Sequence, residues 1–389
     1  MVNKSLFCRY ALLGEDLELK QNTNLEIDDS GKILNLSYDE VEENLNILPD
    51  GHSSLLIPGF INSHVHIGDS FAKELGYNRE LEEVVAPPFG FKHKLLRQTP
   101  ESVKIKGIQN AVLEMLSNGI TFFVDFREGG AEGVNLLKRA LSKVSINYLI
   151  LGRFMDESEI DSIFGLADGV GLSSYKEITK TNKIYVSSAK KKFKKILACH
   201  CAEKTRDSNL INEIFNDNLV DIFIHGTKFV KRDLENIIEN NKSLVLCPRC
   251  NGYFGVGFPP INEILRLKIP ISLGTDNLMV NNTDLFEEMR YFYRISRVLC
   301  SYNKKLQLTS KDLLKMVTYN AAKNYNLEKK FGSISKGKFA DLFLIDLSSP
   351  NMFSSKLNSN NIYDLITQRT KSDNIKKTYI KGELVFERI

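Results

Sequence analysis

The fold of this chain is decided by one stretch, Pro58-Gly59-Phe60-Ile61-Asn62-Ser63-His64-Val65-His66. Residues two apart on a strand point to the same face, so His64 and His66 direct both imidazoles to one side. The apolar run Leu55-Leu56-Ile57 comes before them, which predicts a buried strand that ends in two metal-ligand side chains. Two histidines do not complete a metal site, because a closed zinc site has four protein ligands and a catalytic one has three plus water. The rest of the chain is therefore expected to supply further ligands.

Length and composition exclude several classes of protein. The chain has 389 residues, which suits one large domain with a modest appendage, and its net charge of +4 is too small to indicate nucleic-acid binding. Between Met1 and Lys20 there is no basic segment followed by an apolar core, and no apolar run approaches the ~20 residues of a membrane span. Six cysteines without a signal segment indicate a reducing compartment. We therefore expect a cytoplasmic protein that binds neither nucleic acid nor membranes.

The two ends of the chain carry the alternating pattern of β-strands. Leu25 to Asp28 alternates, a turn at 29–32 follows, and Ile33 to Leu36 resumes the strand. Near the other end, strands are predicted at 340–345 and in a hairpin at 378–386. Because neither end holds enough apolar residues for a core of its own, we expect residues 1–57 and 333–389 to form one small β-sandwich domain.

The middle of the chain, residues 58–332, alternates short apolar strands with helical stretches, which is typical of a parallel α/β fold. The predicted strands end near His66, Phe126, Phe154, Tyr175, Cys201, His225, Cys247 and Asp276. Eight parallel strands favour a closed (β/α)8 TIM barrel over an open sheet. Ser310 is expected to cap a helix after the last strand. One connection is long, from Gly68 to about Pro100, and loops of that length often cover a binding site.

Polar side chains stand at the predicted strand ends. In addition to the first histidine pair, His200, His225 and Asp276 each end an apolar strand. The carboxyl ends of barrel strands converge on one face, so these residues are expected to surround a common point. Imidazole and carboxylate ligands suit zinc or another divalent metal. Any one of them alone is better explained as a satisfied polar residue at the rim, but five aligned at strand ends favour a metal site.

Four motifs resemble those of the amidohydrolase superfamily, in the order expected for it: Pro58 to His66, His200-Cys201-Ala202-Glu203, His225-Gly226 and Gly274-Thr275-Asp276-Asn277. The tail from Gly332 to Leu342 resembles the segment with which such chains return to their β-domain. Within the superfamily, the chain looks most like the cytosine deaminase and chlorohydrolase-like branch. The resemblance covers nearly the whole chain. It is specific for the superfamily and much less specific for the substrate.

The resemblance favours one catalytic metal over two. Two-metal members carry a lysine or glutamate bridge at strand four, and Lys176 lies in that region. Glu203 instead stands three residues after His200, where one-metal deaminases carry a glutamate that passes a proton to the substrate ring. The segment Ser173-Ser174-Tyr175 at the end of strand four supplies no bridging ligand.

The resemblance also implies a role for each residue of the site. The implied ligands of one divalent metal are His64, His66, His200 and Asp276. Zinc is the expected metal, with Fe²⁺ and Mn²⁺ as alternatives. Asp276 would take a proton from the attacking water, His225 would orient that water, and Glu203 would protonate the ring and help ammonia leave.

The expected activity is therefore that of a hydrolase acting on non-peptide carbon–nitrogen bonds. Its reaction would be hydrolytic deamination of an amino-substituted N-heterocycle, namely a purine, pyrimidine, pterin or nucleoside. One alternative is a binuclear cyclic amidase, in which Lys176 is carboxylated and His225 is a ligand. Another is a non-catalytic subunit that has kept the fold. The family resemblance also implies a homodimer.

Substrate contacts are predicted at the remaining strand ends and in the long connection. The candidates are Arg127, Glu128, Arg153, Arg249 and His93. Arginines gathered at one mouth would suit a carboxylate or phosphate on the substrate, because guanidinium groups bind such anions with two parallel hydrogen bonds. Ion pairs at the rim explain the same arginines equally well. Phe89 and Lys92 are expected to help cover the ligand.

The cysteines and one histidine are interpreted as structural. Cys247 and Cys250 are expected to pack a loop or contact substrate, in preference to holding a second metal. Cys199 and Cys201 alternate with His200, so they should face the packing layer. His52 lies before the first barrel strand, on the side away from the predicted site.

Overall fold

The computed structural model describes residues 4–41, 45, 47, 53–300 and 306–388. Its strands are β1 Lys4–Leu13, β2 Glu18–Ile27, β3 Ile33–Glu40, β4 Ser54–Pro58, β5 Phe60–His66, β6 Ile120–Arg127, β7 Asn147–Gly152, β8 Gly169–Leu172, β9 Ile196–Cys201, β10 Ile222–His225, β11 Ser243–Leu246, β12 Ile271–Leu273, β13 Asp276–Asn277, β14 Leu342–Asp346, β15 Ile375–Ile380 and β16 Glu383–Glu387. His52 lies outside the described residues.

The helices lie mainly between the strands of the middle segment. They are α1 Leu81–Val85, α2 Phe91–Gln98, α3 Glu101–Ser117, α4 Gly130–Leu141, α5 Ile160–Leu166, α6 Lys183–Phe193, α7 Ser208–Asp217, α8 Lys231–Glu239, α9 Pro248–Tyr253, α10 Ile261–Arg266, α11 Leu285–Leu299, α12 Ser310–Met316, α13 Tyr319–Asn324 and α14 Ile362–Arg369. Short 3₁₀ helices occur at Ile67–Ala72, Glu157–Glu159, Tyr175–Glu177, Pro350–Met352 and Ser372–Asn374. Among the described helices, none combines the length and the apolar character needed to cross a membrane.

Strands β5 to β13 form one parallel sheet, in the order β12-β11-β10-β9-β8-β7-β6-β5-β13. Successive strands are joined by helices, so the predicted α/β class is confirmed. Strands β5, β9 and β10 end at the predicted residues. Strands β7 and β8 end earlier, at Gly152 and Leu172, whereas the prediction was Phe154 and Tyr175. The chain beyond Leu172 turns instead into a short 3₁₀ helix that contains Tyr175.

The last predicted strand is divided into two pieces. β12 pairs with β11, whereas β13 pairs with β5 at the opposite edge of the sheet. Only Gly274 and Thr275 lie between them, so one run of chain reaches both edges. The Asn62 side chain on β5 holds this junction, because it accepts from Thr275 N at 3.0 Å and donates to Thr275 Oγ1 at 2.7 Å. A Cβ on Gly274 would lie 2.7 Å from the Cβ of His64, so this approach requires glycine.

The parallel sheet separates two apolar cores. On β6, Phe122 and Val124 belong to one core and Phe123 to the other, as the alternation of side chains along a strand requires. On β9, Cys199 and Cys201 lie in the core that also holds the buried faces of the helices. The two thiols therefore face the packing layer, as the sequence predicts.

The two ends of the chain share a second, mixed sheet. Its order is β16-β15-β14-β4-β1-β2-β3, in which β4 runs parallel to β1 and antiparallel to β14. The described strands of both ends thus lie in one seven-stranded sheet. Because β4 leads directly into β5, this sheet is continuous in the chain with the first histidine strand.

The N-cap of helix α12 differs from the predicted one. The helix begins at Ser310, but its N-cap is Thr309, whose side-chain oxygen accepts a hydrogen bond from Asp312 N at 3.1 Å. The hydroxyl of Ser310 donates instead to Asp364 Oδ1 at 2.5 Å. The prediction that Ser310 caps the helix is therefore wrong by one residue.

The long connection after β5 is folded. Residues 67–100, which we call the β5–α3 connection, contain a 3₁₀ helix and helices α1 and α2 before α3 begins. Most of its side chains are exposed or half-buried, but Asp69 and Lys92 are buried. Two charged side chains of the connection therefore lie in the protein interior.

Candidate metal centre

Strands β5, β9, β10 and β13 bring five side chains together where their carboxyl ends meet. These side chains are His64, His66, His200, His225 and Asp276. The Asp276 carboxylate lies at the middle of the cluster. Its Oδ1 is 3.2 Å from His64 Nε2 and 3.5 Å from His66 Nε2, and its Oδ2 is 3.9 Å from His225 Nε2. The convergence that the sequence analysis expects for these residues is thus present in the structure.

Hydrogen bonds to Nδ1 fix the tautomers of two histidines. His66 Nδ1 lies 3.1 Å from the Phe126 carbonyl oxygen and 2.8 Å from Glu128 Oε1, and His200 Nδ1 lies 2.7 Å from the Leu172 carbonyl oxygen. A carbonyl oxygen only accepts, so each Nδ1 carries a proton, and a neutral ring then has its lone pair on Nε2. The two Nε2 atoms face each other 3.4 Å apart. Although burial acts in the opposite direction, the Glu128 carboxylate raises the pKa of His66, so a proton on His66 Nε2 can lie between the two nitrogens. A metal ion can take the place of that proton, so the donor set fits a metal.

The spacing of these atoms also fits zinc. Ligand atoms at about 2.0–2.1 Å from a tetrahedral zinc ion are about 3.4 Å from one another. Three of the six pair separations within His64, His66, His200 and Asp276 are 3.2 Å for His64–Asp276, 3.5 Å for His66–Asp276 and 3.4 Å for His66–His200. These three separations are close to those between ligand atoms on one zinc ion.

Burial keeps two of these imidazoles neutral. It lowers the pKa of His64 to about 3, although the Asp276 carboxylate acts in the opposite direction. Burial and the neighbouring histidines also hold the pKa of His200 well below its ordinary value. A neutral imidazole is the form that binds a metal, so both side chains are available as ligands at neutral pH.

His225 stands slightly apart from the other members of the cluster. A purely geometric grouping within the described residues selects His64, His200, His225 and Asp276, whose ligand atoms all lie within 4.8 Å of one another. The pair distances favour His66 over His225, because His66 Nε2 is 3.4 and 3.5 Å from its neighbours and His225 Nε2 is 3.9 Å from Asp276.

A second layer of contacts orients His225. Its Nδ1 donates to Asn251 Oδ1 at 3.0 Å, and Asn251 Nδ2 donates to Thr227 Oγ1 at 3.2 Å. The lone pair on His225 Nε2 therefore faces the cluster. His225 and Asp276 both adopt left-handed backbone conformations, with φ of 71° and 61°, and such strain is concentrated at functional sites. Asn251 is not among the residues predicted for the site from the sequence, because no strand-end pattern points to it.

Glu203 lies next to His225. Its Oε2 is 3.6 Å from His225 Nε2, and its side chain is 17% exposed. Burial raises the pKa of this carboxyl group above its ordinary value, although the neighbouring His225 lowers it. A raised pKa lets a carboxyl group carry a proton closer to neutral pH, which is what a general acid needs.

One cavity lies over the cluster, and a second cavity shares part of its wall. The inner cavity, of about 220 Å³, is lined by the metal-centre residues His66, His200, His225 and Asp276 together with Glu203. The outer cavity, of about 740 Å³, is lined by none of these residues. Their shared walls are Pro87, His93, Arg127, Glu128 and Arg153. A ligand that reaches the cluster from the outer cavity passes these residues.

Four of the five predicted substrate residues therefore lie at the junction of the cavities. Arg153 pairs with Glu177 at 2.9 Å, and His93 Nε2 donates to the Val85 carbonyl oxygen at 3.1 Å. Glu128 is more engaged, because it contacts His66, Lys92 and Arg127. Its position is that of a support for His66 at the cavity wall.

Arg249 lies elsewhere. Its Nε donates to the buried Glu288 at 2.7 Å, and its Nη1 atom contacts Asn282 and Glu287 at 2.9 and 2.5 Å. It lines neither cavity. For this arginine the structure corresponds to the alternative left open above, an ion pair at the rim. Lys176 is exposed and also lines neither cavity.

The two residues predicted to help cover the ligand, Phe89 and Lys92, differ in their exposure. Phe89 is 88% exposed and lines neither cavity, so it does not cover the cluster in this structure. Lys92 is 2% exposed and lines the inner cavity. Cys247 and Cys250 are buried free thiols.

Comparison with known proteins gives a consistent result over most of the chain. The amidohydrolase family model matches residues 55–385. A Methanothermobacter thermautotrophicus protein, provisionally named an aminohydrolase, is 33% identical over 94% of this chain and 94% of its own. A Clostridium tetani 5-methylthioadenosine/S-adenosylhomocysteine deaminase is 28% identical over 95% of this chain and 90% of its own. A Methanobrevibacter smithii 5'-deoxyadenosine deaminase is 24% identical over 100% and 94% of the two chains.

Solved structures show the same fold. An adenosine deaminase from Xanthomonas campestris with bound zinc superposes with a TM-score of 0.80 at 16% identity, over 98% of this chain and 92% of that one. An atrazine chlorohydrolase from Arthrobacter aurescens in complex with zinc gives a TM-score of 0.78 at 16% identity, over 98% and 94%. At such identities the similarity is evidence for the fold alone.

Proposed function

Because this chain belongs to the amidohydrolase family, we propose that it is a metal-dependent hydrolase that deaminates an amino-substituted N-heterocycle. The names of its relatives support deamination, since one is a 5-methylthioadenosine/S-adenosylhomocysteine deaminase and another is a 5'-deoxyadenosine deaminase. The bond broken is then a non-peptide carbon–nitrogen bond.

One observation carries the proposal. The Nε2 atoms of His66 and His200 face each other at 3.4 Å next to the Asp276 carboxylate, and the half-buried Glu203 lines the same inner cavity. A metal site beside a carboxyl group of raised pKa is suited to hydrolysis with proton transfer to a leaving group.

The proposed metal ligands are His64, His66, His200 and Asp276. They would hold one divalent metal, zinc in the first instance, with Fe²⁺ or Mn²⁺ as alternatives. Zinc in the two solved structures compared above supports this choice. A bound divalent metal supplies a Lewis acid that makes water nucleophilic at neutral pH.

Asp276 and Glu203 then carry out the proton transfers, and His225 orients the water. Asp276 accepts a proton from the attacking water, and the lone pair on His225 Nε2 accepts a hydrogen bond that orients that water. Glu203 gives its proton to the ring nitrogen beside the attacked carbon and then takes back the proton of the hydroxyl group that the carbon has gained. Asp276 passes the proton it took from water to the amino group, which leaves as ammonia as the carbon–nitrogen bond breaks. The products are ammonia and a heterocycle that carries oxygen in place of the amino group.

The two cavities suggest a substrate larger than a free base. A heterocycle fits beside the cluster in the inner cavity, and a substituent on the ring extends past Arg153 and His93 into the outer cavity. The names of the relatives favour an adenine nucleoside changed at the 5' position. Arg127 and Arg153 line both cavities and remain candidates for contact with that substituent, whereas Arg249 lines neither.

Two rival functions are less well supported. A binuclear cyclic amidase requires Lys176 at the metals, and this lysine is exposed outside the inner cavity. A non-catalytic subunit is expected to have lost ligands, whereas the full set of proposed ligands converges here.

An ammonia-release screen tests the function. Metal-free protein is supplied with zinc, iron or manganese and incubated with 5'-substituted adenosines, adenosine, free purines, cytosine and pterins. We expect ammonia from at least one nucleoside and one metal per chain. Ring opening of a cyclic amide with two metals per chain would favour the amidase, and no turnover of any compound would favour the non-catalytic subunit.

The same proposal includes the architecture of the chain. A closed (β/α)8 barrel over residues 58–332 is supported by the two pieces β12 and β13, which reach both edges of the parallel sheet. A small β-domain built from residues 1–57 and 333–389 is supported by the single seven-stranded sheet that the two chain ends share, and its form as a sandwich of two sheets stays a prediction from the sequence. A homodimer, a cytoplasmic location and the lack of nucleic-acid or membrane partners remain predictions from the sequence.

A further inference from the structure

A buried lysine stands where the β5–α3 connection meets the metal centre. Lys92 on α2 is 2% exposed, whereas Lys94 and Arg97 on the same helix are exposed. Burial of an ammonium group is costly unless it is paired, so its partners determine where it can lie. Its Nζ is 2.5 Å from Glu128 Oε1 and 3.4 Å from Asp69 Oδ2.

The first partner leads directly to a proposed ligand. The Glu128 oxygen that contacts Lys92 also lies 2.8 Å from His66 Nδ1. Its other oxygen is held by Arg127 at 2.6 Å. Lys92 and Arg127 thus pair with the two oxygens of the Glu128 carboxylate. These two ion pairs hold in place the Oε1 atom that contacts the His66 ring.

The second partner anchors the lysine on the side of Asp276. Asp69 Oδ1 accepts a hydrogen bond from Leu278 N at 3.0 Å, and Leu278 stands two residues after Asp276. Asp69 therefore belongs both to the β5–α3 connection and to the segment that carries the carboxylate ligand. Lys92 spans the gap between this anchor and Glu128.

We propose that Lys92 is a positioning residue, supplied by the β5–α3 connection, that acts through Glu128 to hold His66 in the orientation of a metal ligand. The inference rests on the proposed metal-dependent function. It extends that function by giving a residue of the connection over the cavity a part in metal affinity. Removal of the ammonium group frees Glu128 to turn towards Arg127, and the hydrogen bond to His66 Nδ1 is weakened.

A double-mutant cycle on zinc affinity tests this inference. Metal-free parent, Lys92→Met, Glu128→Gln and the double variant are titrated with zinc against a chromophoric chelator, and the absorption of the cobalt forms reports ligand geometry. We expect each single variant to lose about 10- to 100-fold in affinity, as is usual for groups that orient a ligating histidine. The loss of zinc affinity in the double variant should not exceed the larger of the two single losses, because both changes break the same chain of contacts.

A merely structural ion pair predicts a different result. Lys92→Met would then lower the unfolding temperature and leave the zinc dissociation constant and the cobalt spectrum unchanged, which overturns the inference. Losses that multiply in the double variant overturn it as well. Lys94→Met, on the exposed face of the same helix, is the matched control and should bind zinc like the parent.

Two further comparisons keep the outcomes distinct. If Lys92→Met does not fold, the double variant, in which the pair is neutral, is compared with Glu128→Gln alone; equal affinities support the inference and a further tenfold loss overturns it. If the parent itself binds no zinc, iron or manganese, the proposed function fails. If the parent binds zinc and Lys92→Met binds it equally well, only the inference about Lys92 fails.

Discussion

His66 Nε2 and His200 Nε2 face each other at 3.4 Å while the opposite nitrogen of each ring contacts a backbone carbonyl oxygen. Neither ring can turn over without losing that hydrogen bond, which costs about 1–3 kcal/mol when a buried group is left unpaired. The two Nε2 atoms therefore stay opposed in the folded chain, with room for one cation between them, either a proton on His66 or a metal. Metal binding at the proposed site would hold both nitrogens, so stability and metal content should be linked.

Metal removal should lower stability as well as abolish turnover. We expect the chelated protein to unfold at a lower temperature, and added zinc to restore stability by RT ln(1 + [Zn]/Kd). Thermal unfolding at several zinc concentrations and elemental analysis check this, with one metal per chain as the expected content. An unfolding temperature that does not respond to zinc would contradict the site.

Glu203→Gln should separate chemistry from binding. Glutamine keeps the shape of the side chain but has no proton to give, so kcat should fall by about 10²- to 10⁴-fold. Metal content and KM should change little. Steady-state kinetics on the substrate found in the ammonia screen provide the measurement, and Glu213→Gln on α7, whose carboxylate pairs with Lys183, serves as the control. A kcat equal to that of the parent would remove Glu203 from its assigned role.

Two arginines with different surroundings should respond in different ways. Arg153 lies at the junction of the cavities, so Arg153→Ala is expected to raise KM by weakening contact with the substituent of the substrate. Arg249→Ala leaves the buried Glu288 without its partner, which typically costs about 3 to 5 kcal/mol of stability. KM measured on both variants, with urea unfolding, distinguishes them. A KM effect confined to Arg249→Ala would reverse the assignment.

The pH dependence of stability should include a contribution from Asp341. Burial raises the pKa of this carboxyl group to about 7, against an ordinary value of 3.8. The folded chain then binds a proton that the unfolded chain releases, so stability falls as pH rises from about 4 to about 7 and is level above that. At 1.36 kcal/mol per pKa unit the loss is at most about 4 kcal/mol.

Asp341→Asn should remove this loss. The variant is expected to be more stable than the parent at pH 8, with a difference that shrinks towards pH 4. Urea unfolding of the parent and the variant at several pH values checks the sign, and Asp373→Asn, whose side chain is 82% exposed, is the control. A difference that grows towards low pH would show that Asp341 is ionised in the folded chain.

The metal-centre residues could be expected from sequence because two regularities act together. Alternation along a strand places His64 and His66 on one face, and the carboxyl ends of parallel strands gather His200, His225 and Asp276 nearby. Both rules depend only on strand position. They hold even where the predicted strand ends differ from the observed ones, as at Gly152 and Leu172.

Other features depend on contacts that no periodic pattern encodes. The burial of Lys92 depends on its pairing with Glu128 and Asp69, which lie on other elements of the chain. The pairing of Arg249 with Glu288 depends on how α9 packs against α11. The division of the last strand into β12 and β13 depends on the side-chain amide of Asn62, which lies 213 residues earlier in the sequence. Such contacts become visible only when the tertiary structure is known.

The junction at Gly274 and Thr275 has a consequence for the order of folding. His64 and Asp276 are 212 residues apart in the sequence. The strands that carry them pair directly, Asp276 with Val65, immediately after this junction. Contacts of such long range form late, because the entropy of closing a large loop must be overcome first. During synthesis, a chain that has not yet reached Asp276 cannot assemble the full set of proposed ligands. Metal uptake at the proposed site would therefore be a late event, and metal content would measure the fraction of chains that have completed their fold.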